Sequence, residues 1–191
     1  MARAIVFLQD GMADWEAGPV TAVLRRFLNV EIQIASPGGD CVTSIGGLLV
    51  EPDLAFEEVE LEEFDIFLVI GSDAWVDHLD QGFCDLLCAA LNQDKIVGAI
   101  CAGTVAVARA GLFEHRAHTS NGREWLAKAA PDYKGQENYV DTHKAVVDGK
   151  LVTAPGSAPG TFAAAIARLA APDQEQMIAG YEAMSRQEWA A

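Results

Sequence analysis

Short apolar runs alternate with amphipathic stretches along most of the chain. Four of the runs are rich in β-branched or aromatic residues and predict strands: Arg3–Leu8, Val30–Ala35, Asp65–Ile70 and Ile96–Ile100. The last two are almost continuously apolar, which is typical of strands in a sheet whose two faces are both covered. The pattern therefore indicates a buried sheet at the centre of the fold.

Helices are predicted between and after these strands. Apolar residues recur at the i, i+3, i+4, i+7 spacing of a buried helix face in the segments 20–28 and 83–91. Four further segments predict helices: Ala102–Gly111, Glu124–Ala130, Thr161–Ala170 and Gln174–Ser185.

Shorter strands complete the pattern. We expect a hairpin at Cys41–Glu51, a short strand at Ala117–Ser120, and a second hairpin whose turn is Asp148-Gly149. Alternating strands and helices predict a mostly parallel sheet with helices on both faces. The sequence thus predicts one α/β domain over residues 1–191.

Charge and hydropathy limit the partners of the chain. The net charge is −15, with 13 Lys and Arg against 28 Asp and Glu, whereas a nucleic-acid surface needs clustered basic residues. The longest uncharged run, Leu151–Ala167, is shorter than the roughly 20 residues of a membrane span, and Pro and Gly interrupt it. We expect neither nucleic-acid nor membrane binding.

The four cysteines are expected to be reduced thiols. No secretory signal is visible, so Cys41, Cys84, Cys88 and Cys101 indicate a cytoplasmic protein and not a disulfide framework. Cys84 and Cys88 lie one helical turn apart without a histidine or a second cysteine pair nearby, which favours helix packing over metal binding. We expect no metal and no cofactor.

Cys101 is the residue that most clearly indicates chemistry. It lies between a predicted buried strand and a predicted helix, flanked by the small residues Ala99 and Gly103. This is the pattern of a nucleophile elbow, a turn so tight that it forces the side chain into the open. A helix N-terminus favours thiolate over thiol, so a lowered pKa is expected for Cys101. The alternative is a free cysteine that packs as a small hydrophobe.

Two other segments follow predicted strands and should lie at the same edge of the sheet. Gly71 and Ser72 follow the third strand, where backbone N–H groups could form an oxyanion hole; the alternative is an ordinary loop glycine. Glu16 lies where the loop after the first strand enters a helix. A carboxylate there is ordinarily a capping residue, but it could instead face Cys101.

These residues, with the segment 154–161, resemble the ThiJ/PfpI family of the class I glutamine amidotransferase-like superfamily over about residues 3–170. The resemblance implies a flavodoxin-like three-layer sandwich and a homodimer. It implies Cys101 as nucleophile, Glu16 as a protonated carboxylic acid beside it, and the N–H groups of Ser72 and Ala102 as oxyanion donors.

The sequence departs from the family at its histidine. One branch has a histidine directly after the nucleophile, where this chain has Ala102, so peptidase activity is not favoured. Another branch has a histidine where Ser120 aligns, and His118, two residues earlier on the predicted strand, would share its face. His118 is therefore a candidate for the site; the alternative is a partly buried strand histidine.

Trp15 and Trp75 lie in loops predicted to face the crevice, where they would line it or else pack in the core. Two functions remain open. In the first, the chain is a cofactor-independent hydrolase or lyase in which Cys101 attacks a 2-oxoaldehyde, an amide or an isocyanide and Glu16 shuttles the proton. In the second, it is a redox-responsive stress protein in which Cys101 is oxidised without turnover.

Overall fold

A computed structural model describes residues 2–77 and 79–187. It contains nine strands in the described part of the chain: β1 (Arg3–Phe7), β2 (Glu31–Ser36), β3 (Val42–Thr43), β4 (Leu49–Val50), β5 (Leu54–Ala55), β6 (Ile66–Val69), β7 (Ile96–Ile100), β8 (Val146–Asp148) and β9 (Leu151–Ala154). Its helices there are α1 (Asp14–Ala22), α2 (Ala74–Asp77), α3 (Gln81–Asn92), α4 (Gly103–Arg109), α5 (Arg123–Ala129), α6 (Pro159–Ala170) and α7 (Glu175–Gln187). No helix within these ranges has the length and apolar character that crossing a membrane requires.

Seven strands form one sheet in the order β5-β2-β1-β6-β7-β9-β8. All neighbours are parallel except β8 and β9, which form the predicted hairpin. β3 and β4 form the other predicted hairpin outside this sheet. The predicted α/β fold, a flavodoxin-like three-layer sandwich, is confirmed.

Both faces of the sheet are covered by helices, which explains the apolar strands. Along β1, Ile5 and Phe7 pack with α3, α4 and α5 on one face. Ala4 and Val6 pack with α1 and α6 on the other. Because successive strand side chains point to opposite faces, a strand in the middle layer must be apolar at nearly every position.

The helix predicted from the segment 20–28 is longer than its apolar spacing, and the short strand predicted at Ala117–Ser120 is wrong. The first helix begins at Asp14, ahead of the apolar spacing, and continues as a π-helical turn at Val23–Phe27. Within the described part of the chain, the segment 117–120 makes a single β-bridge, between His118 and Tyr139. Side chains take its other backbone N–H groups: the Asp148 carboxylate, the Thr153 hydroxyl and the Tyr139 hydroxyl. A regular strand cannot form where side chains replace the partner backbone.

Candidate active site

The carboxyl ends of the central strands bring four loops together. In the sheet register Phe7 pairs with Val69, Val69 with Ala99, and Ile100 with Ala154. The segments that follow these strands therefore leave the sheet at one edge, where parallel α/β folds bind ligands.

Cys101 occupies the predicted turn between β7 and α4. Its backbone has φ of 57°, a left-handed conformation that residues other than glycine rarely adopt. Its N–H donates to the Ala154 carbonyl at 2.9 Å, which continues the pairing of β7 with β9 for one residue. A Cβ on Gly103 would overlap the Val69 carbonyl, so the start of α4 fits against β6 only with glycine there. These features are the strained strand–turn–helix geometry of a nucleophile elbow.

Glu16 lies in the first turn of α1 and is completely buried. Its Oε2 accepts a hydrogen bond from the Gly71 N–H at 2.9 Å. Its Oε1 accepts no hydrogen bond of good geometry from any of the described residues. The carboxyl and the Cys101 thiol meet beside two glycines. A Cβ on Gly71 would lie 2.5 Å from Glu16 Oε2 and 2.7 Å from Cys101 Cβ. A Cβ on Gly156 would lie 2.8 Å from both Glu16 Oε1 and Cys101 Sγ.

Burial sets the acidity of this pair. It raises the pKa of the Glu16 carboxyl to about 7, although the Cys101 thiol and the Gly71 N–H oppose the rise. Burial, followed by the negative charge of Glu16, raises the pKa of Cys101 to about 11, against the Asn121 amide and the Ala102 N–H. The expectation of a lowered pKa for Cys101 is therefore wrong: loss of hydration outweighs the donors at the helix start. Between these two values the pair carries one shared negative charge.

Asn121 and Trp15 hold the loop that covers the pair. Asn121 Nδ2 donates to Cys101 Sγ at 3.1 Å, and its Oδ1 accepts the Gly156 N–H at 2.9 Å. Trp15 Nε1 donates to the Gly156 carbonyl at 3.1 Å. Both polar groups of Gly156 are thus bound by side chains from other parts of the chain.

A crevice of about 630 Å³ opens onto Cys101. Its other lining residues come from the loops around the elbow: Trp15, Ser120, Asn121, Gly122, Tyr139, Asp141, Thr142, His143, Pro155, Gly156 and Ser157. Trp15 is 51% exposed there, in keeping with its predicted position.

The residues predicted to form the oxyanion hole are Gly71, Ser72 and Ala102, and their surroundings differ from one another. The N–H of Gly71 is already used by Glu16, so it is not an oxyanion donor. Ser72 is buried, and its hydroxyl donates to the Asp10 carbonyl and accepts the Ala74 N–H. Ala102 is buried directly after Cys101, and its N–H acts on the sulfur. Oxyanion donation by Ser72 and Ala102 stays a prediction.

His118 does not face the crevice, so that prediction is wrong. Its ring stacks on Phe113 at a centroid distance of 3.9 Å and packs edge-on against Tyr133 and Tyr139. Its Nδ1 is 2.9 Å from the Arg116 carbonyl, and burial lowers its pKa. Without a regular strand, His118 and Ser120 need not share a face, and it is Ser120 that lines the crevice.

Trp75 also lies elsewhere than predicted. It is completely buried, stacks with Phe56 and Phe83, and donates through Nε1 to the Ile70 carbonyl at 2.7 Å. The short helix α2 turns the indole into the core, where a carbonyl satisfies its polar atom.

Asn121 and His143 line the crevice, although neither was predicted from the sequence. Asn121 had a usable signal, since it directly follows the position that aligns with the family histidine. His143 had none, because the segment before β8 has no pattern that locates it relative to Cys101. Among residues 2–77 and 79–187, no cluster of three or more His, Cys, Asp or Glu side chains could hold a metal ion.

Known proteins resemble this chain in sequence and in fold. The chain is 31% identical over 168 residues to a Bacillus subtilis protein named an uncharacterized protease, covering 84% of this chain and 80% of the relative. It is 30% identical over 114 residues to a protein named a deglycase from Pyrococcus abyssi, covering 58% of this chain and 69% of the relative. The crystal structure of a DJ-1 superfamily protein from Agrobacterium tumefaciens superposes with a TM-score of 0.87 and 34% identity, covering 97% of this chain and all of that one. The sequence model of the DJ-1/PfpI family matches residues 2–169, and the chain belongs to this family.

Proposed function

We propose that the protein is a cofactor-independent, cysteine-dependent enzyme that acts on a small uncharged electrophile. The observation that carries the proposal is the buried Glu16 carboxyl beside Cys101, onto which the crevice opens. A carboxyl whose pKa is about 7 is present in both protonation states at neutral pH, which suits a group that must take and return a proton.

For a 2-oxoaldehyde, the first step is addition of Cys101 Sγ to the aldehyde carbon. The sulfur–carbon bond forms as the carbonyl π bond breaks, and the Glu16 carboxylate takes the thiol proton. The new oxyanion then takes that proton from Glu16, which gives a neutral hemithioacetal and restores the carboxylate. Burial raises the pKa of the Cys101 thiol, so little thiolate is present near neutral pH. Because Glu16 takes the proton during the attack, the thiol does not have to ionise beforehand.

The crevice favours an uncharged ligand. None of its lining residues, all within the described part of the chain, is Lys or Arg, whereas Asp141 lines it and the Glu16–Cys101 pair contributes a further negative charge. An anionic substrate would meet like charges without a basic partner. Aldehydes, amides and isocyanides of small size are compatible with both the charge and the volume. The Pyrococcus relative named a deglycase supports carbonyl chemistry within the family.

A redox function is the second candidate. Glu16 Oε1 has no hydrogen-bond partner of good geometry among the described residues and lies beside the sulfur. If the thiolate attacks a peroxide, a sulfur–oxygen bond forms as the oxygen–oxygen bond breaks, and water leaves. A second peroxide gives the sulfinic acid, whose oxygen a protonated Glu16 could bond.

One experiment separates the two functions. Reduced protein is incubated with a panel of 2-oxoaldehydes, small amides and isocyanides, and substrate loss is followed for wild type, Cys101→Ser, Glu16→Gln and the control Cys41→Ser. The proposal predicts turnover that falls to background in Cys101→Ser and about a hundredfold or more in Glu16→Gln. Cys41 is exposed, so its control variant should match wild type. Absence of turnover on the whole panel, with clean peroxide conversion of Cys101 to its sulfinic acid, would favour the redox function.

We also propose that the protein is a cytoplasmic homodimer. Support for the dimer comes from the hairpin of β3 and β4, where Ile45, Leu48 and Leu49 are 63%, 61% and 73% exposed. Three neighbouring apolar side chains on a surface are typical of an interface. Light scattering at micromolar concentration should report a dimer, and a monomer in that assay would contradict the proposal.

A further inference from the structure

The Asn121 amide is held in one orientation by two contacts. The backbone N–H of Gly156 can only donate, so the Asn121 atom facing it at 2.9 Å must be Oδ1. The other amide atom, Nδ2, then faces Cys101 Sγ at 3.1 Å as a donor. A flipped amide would place two donors against each other at Gly156 and an acceptor against a thiolate.

Position in the fold makes this contact rigid. Asn121 begins no helix and lies in the loop after the segment 117–120, whose backbone is fixed by Thr153 and Tyr139. Trp15 holds the other side of Gly156, so the acceptor of Asn121 is itself fixed. A rigid donor loses little conformational entropy when it stabilises a charge.

We infer that Asn121 is a further residue of the reactive centre, which donates a hydrogen bond to Cys101 Sγ and stabilises the thiolate before attack. The inference rests on the proposed function for its catalytic meaning. The Asn121 amide contacts the sulfur, whereas His118 stacks on Phe113 away from the crevice. An amide neither gains nor loses a proton near neutral pH, so Asn121 polarises the sulfur and leaves proton transfer to Glu16.

The test measures the thiol itself and needs no substrate. Iodoacetamide alkylation of Cys101 is followed by peptide mass spectrometry between about pH 6 and about pH 10, a range that includes the first proton loss of the Glu16–Cys101 pair near 7. In Asn121→Asp a carboxylate still accepts from Gly156 but presents negative charge to the sulfur. We expect its profile to move to higher pH and its rate at a fixed neutral pH to fall about tenfold or more. Asn92→Asp makes the same change at an exposed residue at the end of α3 and should leave the profile within about twofold of wild type.

The outcomes are separable from those of the proposed function. An unshifted profile in Asn121→Asp overturns the inference whether or not a substrate has been found. If that variant fails to fold by circular dichroism, Asn121→Ala decides instead: it withdraws the donor without adding charge, and it too must shift the profile upward. A shifted profile in a protein without turnover would support the role of Asn121 and contradict the enzyme.

Discussion

Glu16 and Cys101 lie in one buried pocket, where a Cβ on Gly156 would come within 2.8 Å of Glu16 Oε1 and of Cys101 Sγ alike. Two acidic groups this close compete for a proton. Their titration therefore belongs to the pair, and its first proton loss is centred near the Glu16 pKa of about 7.

The reactivity of Cys101 should follow this first proton loss. Carboxylate with thiol and carboxylic acid with thiolate have the same net charge, so both become populated as pH rises through about 7. We expect the alkylation rate of Cys101 to rise with an inflection there. In Glu16→Gln the inflection near 7 should be absent, and one inflection should remain between that pH and the wild-type Cys101 pKa of about 11. A wild-type profile without any rise near neutrality would contradict the shared proton.

Stability should depend on pH through Glu16. Its folded pKa of about 7 is above the ordinary 4.5, so the folded state binds more protons than the unfolded state between these values. The free energy of unfolding should therefore fall as pH rises from 4.5 to 7 by about 3 kcal/mol from this group. Urea melts of wild type and Glu16→Gln at several pH values measure the difference. Parallel pH dependence in the two proteins would exclude a raised pKa for Glu16.

A methyl group on Gly156 should block the thiol. In Gly156→Ala the new Cβ would lie 2.8 Å from Cys101 Sγ, closer than van der Waals contact allows. We expect slower alkylation of Cys101, by about tenfold or more, with a displaced Asn121 contact. Gly180→Ala is the matched control, because a Cβ there meets no atom within 4 Å. Equal rates in both variants would show that Gly156 does not cover the sulfur.

Gly103→Ala should destabilise the fold and disturb the elbow. Its Cβ would overlap the Val69 carbonyl, a backbone atom of a central strand that cannot move aside cheaply. We expect a loss of about 1–3 kcal/mol in the free energy of unfolding. Gly180→Ala, in an exposed turn of α7, should instead be neutral or slightly stabilising. A Gly103→Ala variant as stable as wild type would contradict the tight fit of α4 against β6.

Residues whose positions follow from local pattern were predictable from the sequence. Cys101 and Glu16 end up together because each follows a central strand, and parallel strands end at one edge. The prediction that His118 faces the crevice assumed a regular strand, which side-chain hydrogen bonds prevent. The prediction for Trp75 assumed a loop, whereas Trp75 lies in a four-residue helix. The thiol pKa was mispredicted because the helix start is visible in a sequence, whereas the depth of burial depends on Gly71 and Gly156.

The shared proton is best examined by titrating Cys101 in wild type and in Glu16→Gln. Thiolate absorbance is recorded against pH, with Cys101→Ser subtracted to remove the other thiols. Burial and then the negative charge of Glu16 raise the pKa of Cys101 to about 11, so removing that charge should move this main thiolate step to lower pH, even though turnover falls for want of a base. A titration that stays in place, or moves to higher pH, would contradict the claim that these two residues share one proton.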